Sequence, residues 1–179
     1  MRNLTYRTHS DKVFPREWSI RSHRTFVTAV LAAAALGLGL LSQPVSADTL
    51  GYKLIQDAKS CSLADVQQDL ANGANVNATD PNDGRTALML NAEWCFSGDI
   101  ASTLVAHGAN VNARDNKGET ALMWAASGGD NVEVTRVLLA HGADVNAKAN
   151  DGSTPLGWAR SDPMSSGDVA SLLQAAGAQ

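Results

Sequence analysis

Apolar positions recur in short helical stripes over the last two-thirds of the chain, and each stripe ends at a glycine. Counting back from Gly108, positions −8 and −4 are Ile100 and Leu104, and positions −7 and −3 are Ala101 and Val105. Spacings of three and four residues place such side chains on one face of an α-helix. A glycine directly after the stripe is typical of the left-handed residue that ends a helix. The pattern predicts one amphipathic helix before each of four glycines, which are Gly73, Gly108, Gly142 and Gly177.

A second string precedes these helices and predicts a shorter one. Gly-x-Thr occurs at Gly84, Gly118 and Gly152. The threonines, which are Thr86, Thr120 and Thr154, stand where a hydroxyl can cap the helix that follows. Pro155 then falls at a first helical position, where its missing N–H costs nothing. Each cycle therefore reads as a tight turn, a short helix, a loop, a second helix and a glycine.

The two strings keep phase, with successive glycines about 34 residues apart, and define an internal repeat. We predict an all-α solenoid of helix-turn-helix units joined by β-turn or hairpin-like connections. The solenoid occupies residues 48–179, in four units of about 48–79, 80–113, 114–147 and 148–179.

The terminal units differ from the inner ones as end caps would. In the first unit the −8 and −4 positions are Asp65 and Asp69, and in the last unit the −7 and −3 positions are Ala170 and Gln174. We expect each end to have lost its apolar stripe on the side that has no neighbour, so that Asp65 and Asp69 face solvent.

The repeats resemble those of the ankyrin family, whose pattern runs G-x-T-P-L-H-x-A-A and later L-L-x-x-G-A-D-V-N-A. Residues 118–147, GETALMWAASGGDNVEVTRVLLAHGADVNA, match almost throughout. Met89, Met123 and Gly157 replace the family's histidine, so the hydrogen bonds of that histidine are not expected here.

The resemblance implies a protein that binds another protein through its turn tips and the ends of its first helices. Carried over by position, the implied contact residues are Asn82, Asp83, Arg85, Glu93, Trp94, Asn116, Lys117, Glu119, Ser127, Asn150, Asp151, Ser153, Ser161 and Asp162. Trp94 is the candidate anchor because Trp dominates interface hot spots, although an aromatic that covers the core edge fits its position equally well.

The first 47 residues read as a Sec signal peptide. A basic segment precedes the uncharged run 26–41, and Val45-Ser46-Ala47 supplies a small-residue cleavage site. We predict cleavage after Ala47 and a periplasmic or secreted protein. An uncleaved anchor and a later start codon remain open, although the run is shorter than the roughly 20 residues that span a bilayer.

The net charge of residues 48–179 limits which kinds of molecule the protein can bind. Residues 48–179 carry eight Lys and Arg against sixteen Asp and Glu, a net charge of −8. Such a surface repels phosphates, so neither nucleic acid nor, after cleavage, a membrane is an expected partner. We expect a monomer that binds another protein without a cofactor or metal, and its negative charge favours a basic partner.

Cys61 and Cys95 are the only cysteines, and both lie between the two helices of their units. An oxidising compartment favours a disulfide. Equivalent positions on neighbouring units lie about 8–10 Å apart, whereas the Cα atoms of a disulfide lie roughly 4.4–6.8 Å apart. The two connections differ in length by one residue, which can close this gap, so we predict a Cys61–Cys95 disulfide, with two free buried thiols as the alternative.

Other candidate chemistry is weak. His107 and His141 each precede a glycine stop, where a helix-end role is favoured over a metal site. Trp124 and Trp158 recur in phase, which is typical of packing between units. No catalytic motif is present, so an enzyme is not expected. The alternative function is thiol-linked redox or stress protection through Cys61 and Cys95.

Overall fold

The computed structural model describes residues 47–128, 131–161 and 167–179. Its eight α-helices are α1 (Ala47–Lys59), α2 (Leu63–Ala71), α3 (Ala87–Leu90), α4 (Gly98–Ala106), α5 (Ala121–Ser127), α6 (Val132–Ala140), α7 (Pro155–Ser161) and α8 (Asp168–Ala175). A π-helical turn, Asn91–Cys95, follows α3 directly. The described chain is therefore helical, as the repeat predicted, and the signal peptide prediction falls on residues before 47, outside the described residues.

The first helices of the inner units begin where the threonines predicted. The hydroxyl of Thr86 accepts from the backbone N–H of Met89, and the hydroxyl of Thr120 accepts from that of Met123. Pro155 is the first residue of α7. Local sequence therefore decides where these helices start, because each cap satisfies an amide that the first turn would leave unpaired.

The four glycine stops also take their predicted conformation. Gly73, Gly108, Gly142 and Gly177 have φ between 80° and 95°, the left-handed region in which a side chain would be strained. After each stop the chain turns back toward the next unit.

A ladder of asparagine side chains joins the units beyond these stops. The side-chain amide of Asn77 donates to the carbonyl of Gly108, and its oxygen accepts from the backbone N–H of Asn110. Asn112 makes the same pair of bonds with Gly142 and Asp144. The Asn that ends each Gly-Ala-x-Val-Asn string therefore bonds its own unit to the next one and sets the spacing between them.

One hydrophobic core runs through all four units. The helical stripes supply it, and its largest fully buried members include Leu54, Ile55, Leu88, Ile100, Leu104, Leu122, Leu138 and Leu173. Val169 and Leu173 of α8 are buried, whereas Gln174 is exposed. The last unit therefore has the polarity expected of a cap.

The first unit departs from the expected cap at Asp69. Asp65 is exposed as predicted, but Asp69 is only 1% exposed. Lys53 of α1 explains the burial, since its Nζ lies 2.6 Å from Asp57 and 2.7 Å from Asp69. The prediction that Asp69 faces solvent is wrong, because it packs against the other helix of its own unit.

Burial affects the acidity of this carboxyl. Loss of hydration, together with the neighbouring Asp57, raises the pKa of Asp69 to about 6 in spite of its bond to Lys53. The same bonds raise the pKa of Lys53 above its ordinary value even though partial burial opposes the charge.

No helix among the described residues is both long and apolar enough to cross a membrane.

Candidate functional site

Arg85 connects the two parts of the predicted contact surface. It follows the turn of unit two, and its guanidinium pairs with Asp83 at that turn and with Glu93 in the π-turn. The Arg85 side chain is only 17% exposed. Because this largely buried guanidinium pairs with two carboxylates, it holds the turn tip and the end of the first helix in one fixed arrangement.

Two tryptophans extend this arrangement into the next units. The Cζ atom of Arg85 lies 4.1 Å from the ring centroid of Trp124, within cation–π range. Trp124 meets Trp158 edge to face, with 5.4 Å between ring centroids. The in-phase tryptophans therefore pack between units, as predicted. The sequence analysis singled out Arg85 as a contact residue, but not its stacking on Trp124.

The turn tips are tied to one another by their asparagines. Asn116 donates its side-chain amide to the carbonyl of Asn82, and Asn150 does the same to Asn116. All three side chains remain exposed. Hydrogen bonds between consecutive tips make the exposed row rigid. A rigid row suits contact with a partner because little conformational entropy is lost on binding.

Other predicted contact residues fall into three groups. The exposed ones are Lys117, Ser127, Asp151 and Ser161. The partly buried ones are Asp83, Glu93 and Ser153. Asp162 lies outside the described residues.

Glu119 is the exception among the predicted contacts, because it is only 7% exposed. Its backbone N–H donates to the Oδ1 of Asp115, a residue that is itself 8% exposed. Loss of hydration, and then the side chain of Asp115 close by, raise the pKa of Glu119. Burial and a second carboxyl nearby both disfavour the negative charge, so such a group is stabilised when it binds a proton or lies near a cation.

Cys61 and Cys95 form a disulfide, with 5.3 Å between their Cα atoms. The bond joins unit one to unit two, so the alternative of two free thiols is excluded. The predicted disulfide is therefore confirmed, at a Cα distance shorter than the roughly 8–10 Å that usually separates neighbouring units. Both of its ends lie at departures from regular helix, because Cys95 ends a π-helical turn and Cys61 has a φ of 64°.

The π-turn also sets the position of Trp94. Phe96 ends the turn in a left-handed conformation, with φ 55°. Trp94 is 55% exposed, and the Nζ of Lys59 lies 5.4 Å from its ring centroid. More than half of Trp94 is therefore exposed, which favours an anchor over an aromatic that covers the core edge, while its contact with a partner stays a prediction.

Phe96 points toward the third unit. A Cβ added to Gly128 would lie 2.6 Å from the Cε1 atom of Phe96, so the ring covers the backbone of that glycine. Nothing in the spacing of the sequence marked this contact, because it depends on the π-turn, which is found in unit two alone among the described residues.

The two histidines serve at helix ends. The Nδ1 of His107 lies 2.8 Å from the carbonyl oxygen of Thr103, and the Nδ1 of His141 lies 2.8 Å from that of Val137. They bond the last turns of α4 and α6. The described residues contain no group of three side chains suited to hold a metal ion.

Comparison with known families adds the decisive observation. A family model described as ankyrin repeats (3 copies) matches residues 54–149 and 95–179. The chain belongs to the ankyrin-repeat family. The matched residues include both cysteines, Arg85 and the three tryptophans of the solenoid. No curated protein matches the chain. Ankyrin repeats serve generally as non-enzymatic modules that bind other proteins, and the repeats of this chain indicate a protein-binding module.

Proposed function

We propose that this ankyrin-repeat protein works outside the cytoplasm, where it binds one protein partner as a scaffold or an inhibitor. The observation that carries the proposal is Trp94, a large aromatic side chain that is 55% exposed at the end of a first helix. A large exposed aromatic side chain on a rigid support is typical of an interface anchor.

The neighbourhood of Trp94 supports this role. Glu93 next to it is held by Arg85, and Lys59 lies against its ring. The Cys61–Cys95 bond fixes the backbone on both sides of that contact. An anchor held in this way loses little freedom on binding, which favours affinity.

Charge suggests the kind of partner. After the proposed cleavage, residues 48–179 carry a net charge of −8, which attracts a basic surface and speeds encounter at low salt. We propose a monomer, because one partner surface and capped outer helices leave no evident second interface.

The export proposal rests on the leader and on the disulfide, which is the bond that an oxidising compartment maintains. Fractionation of the source cells tests it: the protein is expected outside the cytoplasmic fraction, with an N-terminus near Asp48. Recovery of an uncleaved chain in the cytoplasm would contradict both export and cleavage.

Crosslinking in intact cells, followed by mass spectrometry, tests the binding proposal. The wild type should capture one predominant protein, and Trp94→Ala should reduce that capture at least tenfold. Tyr52→Ala is the matched control, because Tyr52 is another exposed aromatic, at 49%, on α1. Equal capture by wild type and Trp94→Ala would remove Trp94 from the interface.

Thiol-linked redox protection is the second candidate, and the exposed position of Cys61 in the disulfide favours it. Thiol titration after mild reduction separates the two. A bond that opens readily and re-forms supports a redox role, whereas a bond that resists mild reductants is structural.

A further inference from the structure

The two sulfur atoms of the Cys61–Cys95 bond lie in different surroundings. Cys61 is exposed in the connection between α1 and α2, whereas Cys95 is partly buried at the end of the π-turn. The Sγ atom of Cys95 lies 2.9 Å from the carbonyl oxygen of Ala58. The Sγ atom of Cys61 lies 3.7 Å from the carbonyl oxygen of Lys59. A thiolate that arrives from solvent therefore reaches the sulfur of Cys61 more readily, and access helps to decide which sulfur is attacked.

The backbone at both ends of the bond is strained. Among the described residues, Cys61 and Phe96 are the two non-glycine residues with positive φ, at 64° and 55°. Phe96 directly follows Cys95. A residue that is not glycine keeps this conformation only where its surroundings impose it. Because the disulfide restrains both segments, its opening would release both of them at once.

The same bond ties together the two segments that support the Trp94 anchor. Trp94 directly precedes Cys95, and Lys59 stands two residues before Cys61. The Nζ atom of Lys59 lies 5.4 Å from the ring centroid of Trp94, so this contact also spans the two segments. Without the bond the segments gain freedom, and their ordering on binding would then cost conformational entropy.

We propose that the disulfide is a redox switch on the Trp94 anchor, opened by a low-molecular-weight thiol that attacks the sulfur of Cys61. This inference rests on the proposed function, since the surface that it regulates is that anchor. In the exchange, a bond forms between the sulfur of the incoming thiolate and the Sγ atom of Cys61. The Cys61–Cys95 bond breaks, and its electron pair goes to the Sγ atom of Cys95. Cys95 then takes a proton from solvent.

The surroundings of Cys95 make the open state persist. Its protonated sulfur can donate to the carbonyl oxygen of Ala58, which lies 2.9 Å away in the disulfide form. This hydrogen bond stabilises the neutral thiol, and partial burial opposes the thiolate. Because the thiolate is the attacking species in exchange, Cys95 displaces the adduct from Cys61 slowly. That slow attack returns the small thiol and restores the disulfide.

Exchange of the oxidised wild type with reduced glutathione, stopped by excess N-ethylmaleimide, tests which sulfur is attacked. Peptide mass spectrometry should find glutathione on Cys61 and N-ethylmaleimide on Cys95, in at least tenfold excess over the reverse arrangement. Equal amounts of the two arrangements would overturn the proposal, as would the absence of any glutathione adduct.

Two variants that lose the same bond compare the sulfurs directly. Cys95→Ser leaves Cys61 free, and Cys61→Ser leaves Cys95 free. The thiol of Cys95→Ser should react with dithiodipyridine at least tenfold faster than that of Cys61→Ser, and the two rates should become equal in urea. Equal rates in the folded variants would contradict the assignment. If the variants fail to fold, the glutathione experiment decides, because it begins from the oxidised wild type.

The purified Cys61 adduct tests the effect on the anchor. It should capture the Trp94-dependent partner at least tenfold less than the oxidised wild type does. In NMR spectra the indole N–H signal of Trp94, assigned with Trp94→Phe, should shift, while that of Trp158 in unit four stays in place. The Cys61→Ser, Cys95→Ser double variant has no thiol and should be unaffected by glutathione. Movement of every indole signal would mean that opening unfolds the repeats, which would overturn the switch.

Failure of this inference is distinguishable from failure of the proposed function. Undiminished capture by the adduct would end the switch and leave the anchor in place. An oxidised wild type that captures no protein through Trp94 would end the proposed anchor, whichever sulfur glutathione attacks.

Discussion

Arg85 and Trp124, which lie 39 positions apart in sequence, meet with the guanidinium carbon of one 4.1 Å from the ring centroid of the other. This contact crosses the boundary between two repeats. Since Arg85 also holds Asp83 and Glu93, one side chain links a turn tip, a π-turn and the neighbouring unit.

Replacement of Arg85 by lysine should lower the free energy of unfolding by about 1–2 kcal/mol, because lysine retains the charge but loses the stack and the two-sided pairing. Urea denaturation followed by tryptophan fluorescence measures the loss. Arg136→Lys, at an exposed position on α6, is the control and should be neutral within about 0.5 kcal/mol. A neutral Arg85→Lys would mean that charge alone suffices.

Loss of the disulfide should lower the free energy of unfolding by more than Arg85→Lys does. Closure of a loop with a sequence separation of 34 stabilises by about 4 kcal/mol on the chain-entropy estimate. Cys61→Ser with Cys95→Ser should lower the urea midpoint to that of the reduced wild type. Dithiothreitol should not change the urea midpoint of the double variant. If full reduction also left the midpoint of the wild type unchanged, the prediction would be wrong.

Gly128→Ala should push the Phe96 ring aside and destabilise by about 1 kcal/mol, since the added Cβ would lie 2.6 Å from the ring. In a Phe96→Ala background the same change should become neutral. Gly157→Ala, inside α7 with its nearest contact at 3.3 Å, should instead be neutral or stabilise by up to about 1 kcal/mol. Thermal melts of the wild type and the four variants measure both effects.

Asp69 should make stability depend on pH in an uncommon direction. Its pKa is raised from 3.8 to about 6 in the folded protein, so between these values the folded state binds more protons than the unfolded one. The contribution of Asp69 to stability is therefore greatest below about pH 4 and declines as pH rises through 6. In Asp69→Asn this decline should vanish.

Asp99→Asn, at an exposed position in the first turn of α4, is the control and should keep the wild-type pH profile. Denaturation at a series of pH values measures the difference between the proteins. A wild-type profile that matches Asp69→Asn would mean that Lys53 keeps the carboxylate charged throughout.

Short-range chemistry explains what the sequence could predict. Thr86 and Thr120 cap the helices that immediately follow them, and Gly108 stops the helix that immediately precedes it. These choices depend on neighbours within one turn, and repetition of the pattern then fixes the solenoid.

What the sequence could not predict depends on contacts between distant residues. Asp69 looked like a solvent-facing cap because its partner Lys53 is 16 residues away, on another helix. The disulfide was predictable from the paired cysteines, but the 5.3 Å between its Cα atoms was not, because a π-turn cannot be read from the identity of Asn91–Cys95. Burial of Glu119 was not predictable either, since its 7% exposure is a property of the folded turn around Asp115, while its role as a contact residue stays a prediction.

The Cys61–Cys95 bond has a mechanical consequence. A protein of stacked units, stretched from its two ends, releases its length piece by piece. The segment that the bond closes, whose cysteines are 34 positions apart, would be shielded from tension, which withholds roughly 120 Å of contour at about 3.5 Å per residue. In force spectroscopy this contour length should be released only after a reductant is added. The oxidised protein therefore extends less under load than the reduced one.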